Sequence, residues 1–382
     1  MKKNILLLPI VFWLVLFIVE VISFFFQHPK PMYFRAWEYV LNEGKDSYYV
    51  PFQPRIFYNG PMTGDLLLVA NFLPRKNDVR HQIFQADEYG FRNEIGTYGK
   101  GVKVVLMGTS FVGGAQETQS NLVSVLLTNK YKITTYNYAT YPLQRYWEDA
   151  RFVKKPPKYV VIVMNESEAL QNTWVEVLVP SKTTHEVRSW KSHKQWMQNE
   201  KTLDLSYNRI TTILKSFSIV KFELNKSYVT FINLIFSRSS IASNLVKLNT
   251  YDPSLDMLFW DSNSYDPRIN KKAIGDTINT LKESQRVLKS RNITLIVAIM
   301  PSKTTLYYRK YKDIDPQNES LYTLENAMEK NGIEHVDLFA LMKSQKSLLY
   351  YKDDGHWNSL TNKIIASELN KKIHEFESSK VD

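Results

Sequence analysis

Val102-Lys103-Val104-Val105-Leu106-Met107-Gly108-Thr109-Ser110-Phe111-Val112-Gly113-Gly114 is the stretch that decides the fold. A short, Val-rich apolar run bounded by small residues reads as a buried strand, and Gly108-Thr109-Ser110 ends it. A strand that is apolar at nearly every position is covered on both faces, which is the habit of parallel sheets. Parallel strands in turn need helical crossovers between them.

The chain downstream supplies them. Residues 121–129 read as a helix with Leu122, Val125 and Leu126 on one face. Residues 133–138 form a second strand, 147–153 suggest a helix, and 158–164 form a third strand that ends at Asn165-Glu166-Ser167. The alternation resumes with a helix over 273–290, its inward face Ile274, Ile278, Leu281 and Val287, and a strand over 293–300 stopped by Pro301-Ser302-Lys303. A helix over 321–331, a short last strand at 335–338 and a closing helix over 358–376, with Ile364, Ile365, Leu369 and Ile373 inward, complete the pattern. The expected fold is α/β, a three-layer α/β/α sandwich on a mostly parallel central sheet. Residues 175–265 break the rhythm and read as a helical insertion, with a helix plausible over 227–248. The apolar run inside it is too short for a membrane span.

Upstream, Lys2 and Lys3 precede an apolar run over residues 4–26. As a helix it would span roughly 33 Å, enough to cross a bilayer. The run is long and lacks an Ala-x-Ala cleavage pattern, so it reads as an uncleaved anchor rather than a signal peptide. The lysines are expected to keep residues 1–3 in the cytoplasm, which would place residues 30–382 outside it, at the cell membrane. Glu20 is unusual at that depth, and two readings are open: a place near the outer interface or a contact to another membrane helix. Residues 27–100, rich in Tyr, Phe and Pro, read as short extended segments and turns. Within them, Asp87-Glu88-Tyr89-Gly90-Phe91-Arg92-Asn93 reads as a β-turn with Gly90 at positive φ. The main domain is expected over 101–378.

Composition narrows the chemistry. There is no cysteine, which excludes disulfides, thiol catalysis and zinc–thiolate sites. The net charge of +11 comes from scattered lysines without a nucleic-acid-binding pattern, so nucleic acid is not an expected partner. A basic surface suits anionic headgroups or an acidic polymer. No second histidine has ligand spacing to His356, so neither a metal nor another cofactor is expected.

Chemistry gathers at strand ends. Ser110, the turn around Thr140, and Asn165 each follow a predicted parallel strand, where ligands of open sheets bind. Tyr350-Tyr351-Lys352-Asp353-Asp354-Gly355-His356-Trp357-Asn358 follows the last one. A serine needs a base to become a nucleophile, and the base needs an orienting acid. Ser110, His356 and either Asp354 or Asp353 are the matching types. An oxyanion needs donors placed in advance, and the Asn165 amide and the backbone N–H groups of Ser110 and the glycines after it are candidates.

This set, in this order, resembles the SGNH (GDSL-type) hydrolase superfamily over residues 85–378. The segment 108–114 is similar to its Gly-Asp-Ser-x-x-x-Gly block, Asn165-Glu166 to its Asn-Asp block, and Asp353/Asp354-Gly355-His356 to its last block. The segment 87–93 looks like one that precedes the nucleophile strand in membrane-anchored members. Gly108-Thr109-Ser110-Phe111, Met300-Pro301-Ser302-Lys303 with Tyr307, and Asp354-Gly355-His356-Trp357-Asn358 resemble alginate O-acetyltransferase-related proteins, whose motif order is permuted relative to this chain. Two departures stand out. Thr109 replaces the usual Asp, and residues 137–143 lack the glycine that normally donates to the oxyanion, so a backbone N–H of Thr140 or Tyr141 would have to serve. Asp353 has the common three-residue spacing to His356, whereas Asp354 has the two-residue spacing of the acetyltransferase relatives and is favoured because Trp357 follows.

The resemblance implies acyl-ester chemistry on an acylated carbohydrate or cell-envelope polysaccharide, as an extracytoplasmic hydrolase or O-acetyltransferase. A membrane O-acyltransferase is the implied partner of the transferase version. A non-catalytic SGNH-fold protein that binds or helps assemble such a polysaccharide is the alternative.

Overall fold

The apolar runs pair side by side as the alternation requires. The computed structural model describes residues 51–62, 64, 66, 78–139, 142–171, 251–252, 254–259, 266–308 and 315–379, with Leu14, Val15, Ile18, Val40, Leu178, Thr184 and His185 besides. Among the described residues the strands and helices named here start with β1 (Phe57–Met62) and β2 (Arg80–Gln85), then β3 (Val104–Met107), α1 (Ser110–Gly113) and α2 (Val123–Asn129). Next come β4 (Thr135–Asn137), α3 (Leu143–Glu148), α4 (Ala150–Lys154), β5 (Tyr159–Asn165) and α5 (Glu166–Leu170). β6 (Tyr251–Asp252) and β7 (Met257–Leu258) precede α6 (Lys271–Lys289), β8 (Thr294–Met300) and α7 (Lys303–Tyr307). The last elements are α8 (Ser320–Lys330), β9 (His335–Val336), α9 (Phe339–Lys343) and α10 (Ser359–Ser378).

Five strands form one sheet in the order β4-β3-β5-β8-β9, and every neighbouring pair is parallel. Successive side chains of a strand point to opposite faces. Val160, Ile162 and Met164 of β5 therefore join Leu295, Val297 and Ile299 of β8 in one core, covered by Ile274, Ile278 and Leu281 of α6 and Leu324 of α8. Val161 and Val163 join Ile296 and Ala298 in the other, covered by Leu127 of α2 and Ile365 and Leu369 of α10. The covering residues recur at the three- and four-residue steps of a helix face. Burying each contributes roughly 1.5–3 kcal/mol. Leu281 and Leu369 are fully buried, so a charge at either would break a layer.

Several elements differ locally from the sequence reading. The helix expected over 121–129 begins only at Val123, because Leu122 is extended at its N-cap, and the buried face is Leu122, Val123 and Leu127 rather than Val125 and Leu126. The helix expected over 147–153 is two short helices, α3 and α4. Asp149 interrupts them with ψ at 114°, and its carboxylate accepts from Arg151 N–H and pairs with the Arg151 guanidinium. Upstream, β1 and β2 make an antiparallel pair where only short extended pieces were expected. Gly90 has φ of 77°, as the turn reading required.

Among the described residues no helix is long and apolar enough to cross a membrane. The anchor expected over residues 4–26 lies outside the described residues apart from Leu14, Val15 and Ile18, which are helical and exposed. Most of the insertion expected over 175–265, with the helix at 227–248, lies outside them too.

The strand order has a direct consequence. The chain leaves β3 for β4 on one side and then returns to β5 on the other, so the topological switch point lies between β3 and β5. Ligands of open parallel sheets bind at the strands' C-terminal ends beside that point. Ser110 follows β3 there and Asn165 ends β5.

Candidate active site

Ser110 is the first residue of α1, directly after the sharp turn that ends β3. Gly108 permits that turn, since a Cβ there would lie 2.4 Å from the Val163 carbonyl oxygen of β5 and from Val112 Cγ2. No side chain fits such an approach. At the other end Gly114 closes α1 with φ of 71°. The first N–H groups of a helix have no intrahelical acceptor, and the Ser110 N–H is one of them. The glycine N–H groups, by contrast, are already committed: Gly113 donates to Thr109 O and Gly114 to Phe111 O.

Ser110 Oγ lies 2.8 Å from His356 Nε2. His356 Nδ1 lies 2.6 Å from Asp354 Oδ1, which also accepts the His356 backbone N–H at 2.8 Å. The two-residue spacing produces this arrangement, because a carboxylate can turn back onto the backbone N–H two residues ahead. Asp354 is fully buried. Burial works to raise its pKa, but the His356 charge, the two hydrogen bonds from His356 and the Arg80 charge together hold it below the usual carboxylate range. With an ionised carboxylate at Nδ1, the imidazole proton resides there, and Nε2 is left to accept from the serine hydroxyl. Phe111 packs on the same imidazole, ring centroids 4.6 Å apart, and on Trp357 at 4.7 Å.

Asp353 faces elsewhere. Its Oδ1 accepts from Arg80 Nη1 at 2.6 Å, and both its side chain and that of Asp354 are fully buried. Arg80 also donates to Gln116 Oε1 at 3.1 Å and stacks 4.1 Å over the Tyr351 ring. Of the two aspartates, Asp354 is thus the one against His356. Among the described residues no group of His, Asp and Glu is arranged to hold a metal ion.

Asn165 caps α5. Its Oδ1 accepts from Ser167 N–H at 2.9 Å and from the Ser167 hydroxyl at 2.8 Å, while Glu168 Oε2 accepts the Asn165 N–H at 3.0 Å. Its Nδ2 donates to Tyr350 Oη at 2.7 Å, and that hydroxyl donates in turn to Pro301 O at 2.8 Å. The amide orientation follows from its partners: two donors face the oxygen, and an acceptor faces the nitrogen. One amide hydrogen is used by Tyr350; the other is not. Glu168 sits close enough to feel the His356 charge; burial raises its pKa, against the hydrogen bond from the Asn165 backbone N–H. Thr140 and Tyr141, expected to carry the second oxyanion N–H, lie outside the described residues.

Sequence reasoning brought Ser110, Asn165, Asp354 and His356 to one rim but assigned no role to the residues that hold them. Arg92 and Lys303 stood inside quoted motifs, and Tyr350 in the opening of the histidine segment. Arg80 carried no sequence signal, since its partner is set by tertiary packing alone.

Residues 256–380 match the family model of the SGNH hydrolase-like domain, acetyltransferase AlgX. The matched part covers less than half of the chain and includes β8, Lys303, Asp354 and His356, with Ser110 and Asn165 upstream of it. The SGNH-type superfamily resemblance read from the motifs is therefore met by an independent match. No match is found among curated proteins. Solved structures that this chain resembles include a protein assigned to the G-D-S-L lipolytic family from Desulfitobacterium hafniense, at 11% identity and TM-score 0.31, covering 71% of this chain and 99% of that one. Another is a protein assigned as an acylhydrolase from Bacteroides fragilis, at 13% identity and TM-score 0.33, covering 72% and 86%. A GDSL-like lipase from Bacteroides thetaiotaomicron gives 13%, 0.33, 72% and 90%. At these scores the overlays decide nothing about the fold, which rests on the strand order above.

Proposed function

We propose that this chain is a serine-dependent acyl-ester enzyme, a hydrolase or an O-acetyltransferase. The observation that carries the reading is the continuous hydrogen-bonded line from Ser110 Oγ through His356 to Asp354. Ser110 Oγ attacks the ester carbonyl carbon as His356 Nε2 takes its proton, and Asp354 stabilises the imidazolium. The Ser110 N–H and the second amide hydrogen of Asn165 receive the oxyanion. Collapse expels the alcohol, which leaves with the proton from His356, and the acyl group stays on Ser110. Water or a sugar hydroxyl then attacks that acyl group as His356 takes its proton, and collapse breaks the acyl–Oγ bond, with His356 returning the proton to Ser110 Oγ and the acid or new ester leaving.

The acetyltransferase of the matched family and the acyl-ester motifs favour an O-acetylated cell-envelope polysaccharide as substrate or product. The cationic N-terminus followed by a long apolar run favours an anchored enzyme with its domain outside the cytoplasm, with a membrane O-acyltransferase as acyl supplier in the transferase version and Glu20 as a contact. The insertion over 175–265 then belongs to the extracytoplasmic side.

The test is hydrolysis of p-nitrophenyl acetate by the full-length protein in detergent, wild type against Ser110→Ala. The variant is expected to lose the reaction. Equal rates would sink the nucleophile assignment and leave the non-catalytic, polysaccharide-binding reading.

A further inference from the structure

Lys303 opens α7 at the C-terminal end of β8, beside the strand that carries Asn165. Its side chain is buried. Its ammonium donates to the carbonyl oxygens of Tyr351 at 2.6 Å, Asp354 at 2.8 Å and Lys352 at 3.3 Å. An ammonium has three hydrogens and no acceptor, so it can serve all three carbonyls. Burying an ammonium is costly, and carbonyl dipoles offset only part of that cost. A turn that needed only to be closed could be held by neutral donors. The carbonyls it gathers lie on both sides of Asp353 and run up to the residue that orients His356.

Resting on the reading above, we infer that Lys303 is a positioning residue for the acid–base pair: its ammonium fixes the backbone from which Asp354 and His356 project, and its charge disfavours the imidazolium. The first effect is geometric. Shifting the imidazole by a fraction of an ångström lengthens the Ser110–His356 contact on which proton transfer depends. The second is electrostatic and independent. Among the described residues, the groups facing His356 include Asp354 at Nδ1, Ser110 at Nε2, the Phe111 ring, and Glu168 through its charge. Arg80 and Tyr351 act on Asp354 from the other side. Asp354 and Glu168 favour a protonated imidazole, whereas Arg80 and Lys303 oppose it. Removing the Lys303 charge tips that balance, and a higher pH is then needed to free the base.

The experiment measures p-nitrophenyl acetate hydrolysis against pH for the full-length protein in detergent, with Lys303→Met, Lys303→Arg and Ser110→Ala, each checked by thermal melting. Lys303→Met is expected to lower kcat about ten- to a hundred-fold with KM little changed, and to move the acid limb of kcat/KM up by about half a unit to one unit. Lys303→Arg keeps the charge and spoils the tripod, so its kcat falls while its acid limb stays at the wild-type pH. A folded Lys303→Met protein with wild-type kcat and acid limb overturns the inference. So does a kcat loss that only tracks the fraction unfolded while the limb stays put. If Lys303→Met does not fold, Lys303→Arg decides, and wild-type kcat in that variant overturns the positioning role. Equal hydrolysis by wild type and Ser110→Ala is a different result: it removes the serine reading itself, and the inference falls with it.

Discussion

The two segments that meet at the site are each held by a buried cation donating to main-chain carbonyls, yet they are held differently. Behind the nucleophile turn stands Arg92, whose guanidinium donates to the carbonyls of Gly113 at 2.9 Å, Gly114 and Glu117, and to Ile83 at 3.4 Å, and stacks 4.3 Å over Phe84. Desolvation pulls its pKa down to about 9, against the Glu117 charge, and it remains a cation at neutral pH. Behind the acid–base loop stands Lys303. The nucleophile turn is also fixed by its own backbone, through the Gly108 approach to β5 and the left-handed Gly114. The acid–base loop has an isolated bridge, Tyr350 to Trp357, and backbone donors from elsewhere, Leu258 N–H to Lys352 O at 2.8 Å and Leu66 N–H to Asp353 O at 3.1 Å. It leans on side chains besides: Tyr350 to Pro301, Trp357 Nε1 to Asn362, Asn358 Nδ2 to Leu348 O. A planar fork welds β2, α1 and the following loop into the fold, so its loss should appear as lost stability. A tripod on a loop sets an imidazole, so its loss should appear as lost rate.

The largest effect should come from within the loop. Asp354→Asn is expected to lower kcat about a thousand- to ten-thousand-fold, because the amide favours the wrong imidazole tautomer. Asp353→Asn should leave most of the rate and lower the melting temperature, because Arg80 then loses its charged partner. Paired kcat and melting measurements separate the two, and a reversed order would reassign the orienting acid.

Breaking the fork comes next. Arg92→Met takes the charged donor from the Gly113, Gly114 and Glu117 carbonyls, of which Gly114 and Glu117 keep Gln82 as a donor, and should cost about 3–5 kcal/mol in denaturant unfolding. If the variant unfolds like wild type, the distinction between a structural fork and a functional tripod is lost. Gly108→Ala should cost about 1–3 kcal/mol, since the new Cβ meets backbone and Val112 with little room to move. Surviving protein should show slower hydrolysis because the serine has shifted.

Much of this arrangement was legible before any coordinates. Strands that are apolar at nearly every position pointed to the parallel sheet, and a parallel sheet brings its C-terminal ends to one rim, so Ser110 and Asn165 converge by topology. The choice of Asp354 over Asp353 followed from the resemblance, through its two-residue spacing and the Trp357 after His356, and the structure puts Asp354 against the imidazole. The braces were not legible in the same sense. Arg92 and Lys303 could be seen in their motifs, but a cation that serves backbone carbonyls leaves no partner side chain in the sequence to pair it with. Arg80 and Asp353 are far apart in the chain and joined only by packing. The split of the 147–153 helix turned on one aspartate that prefers its own N-cap role. The inward face of α2 was misread because its first turn starts two residues later than its apolar pattern suggests.

Glu117 touches both segments. The Glu117 carbonyl accepts from Arg92, and its Oε1 accepts from the Tyr351 hydroxyl at 2.6 Å, next to the carbonyl that Lys303 holds. Burial raises the Glu117 carboxyl to about 7, against the Tyr351 and Asn121 hydrogen bonds and the two arginine charges. A folded-state pKa above the unfolded value of a glutamate means that the folded chain holds the proton longer. The stability tied to that proton is fully present below the unfolded pKa and is lost as pH rises through about 7. Glu117→Gln keeps an acceptor for Tyr351 and removes the titration. The stability of wild type relative to this variant should therefore fall by on the order of 1–3 kcal/mol between about pH 5 and 8. Melting temperatures of both proteins across that range give the slope. A flat difference would show that Glu117 is ionised throughout, and that the two braced segments are joined by a fixed charge rather than by a proton.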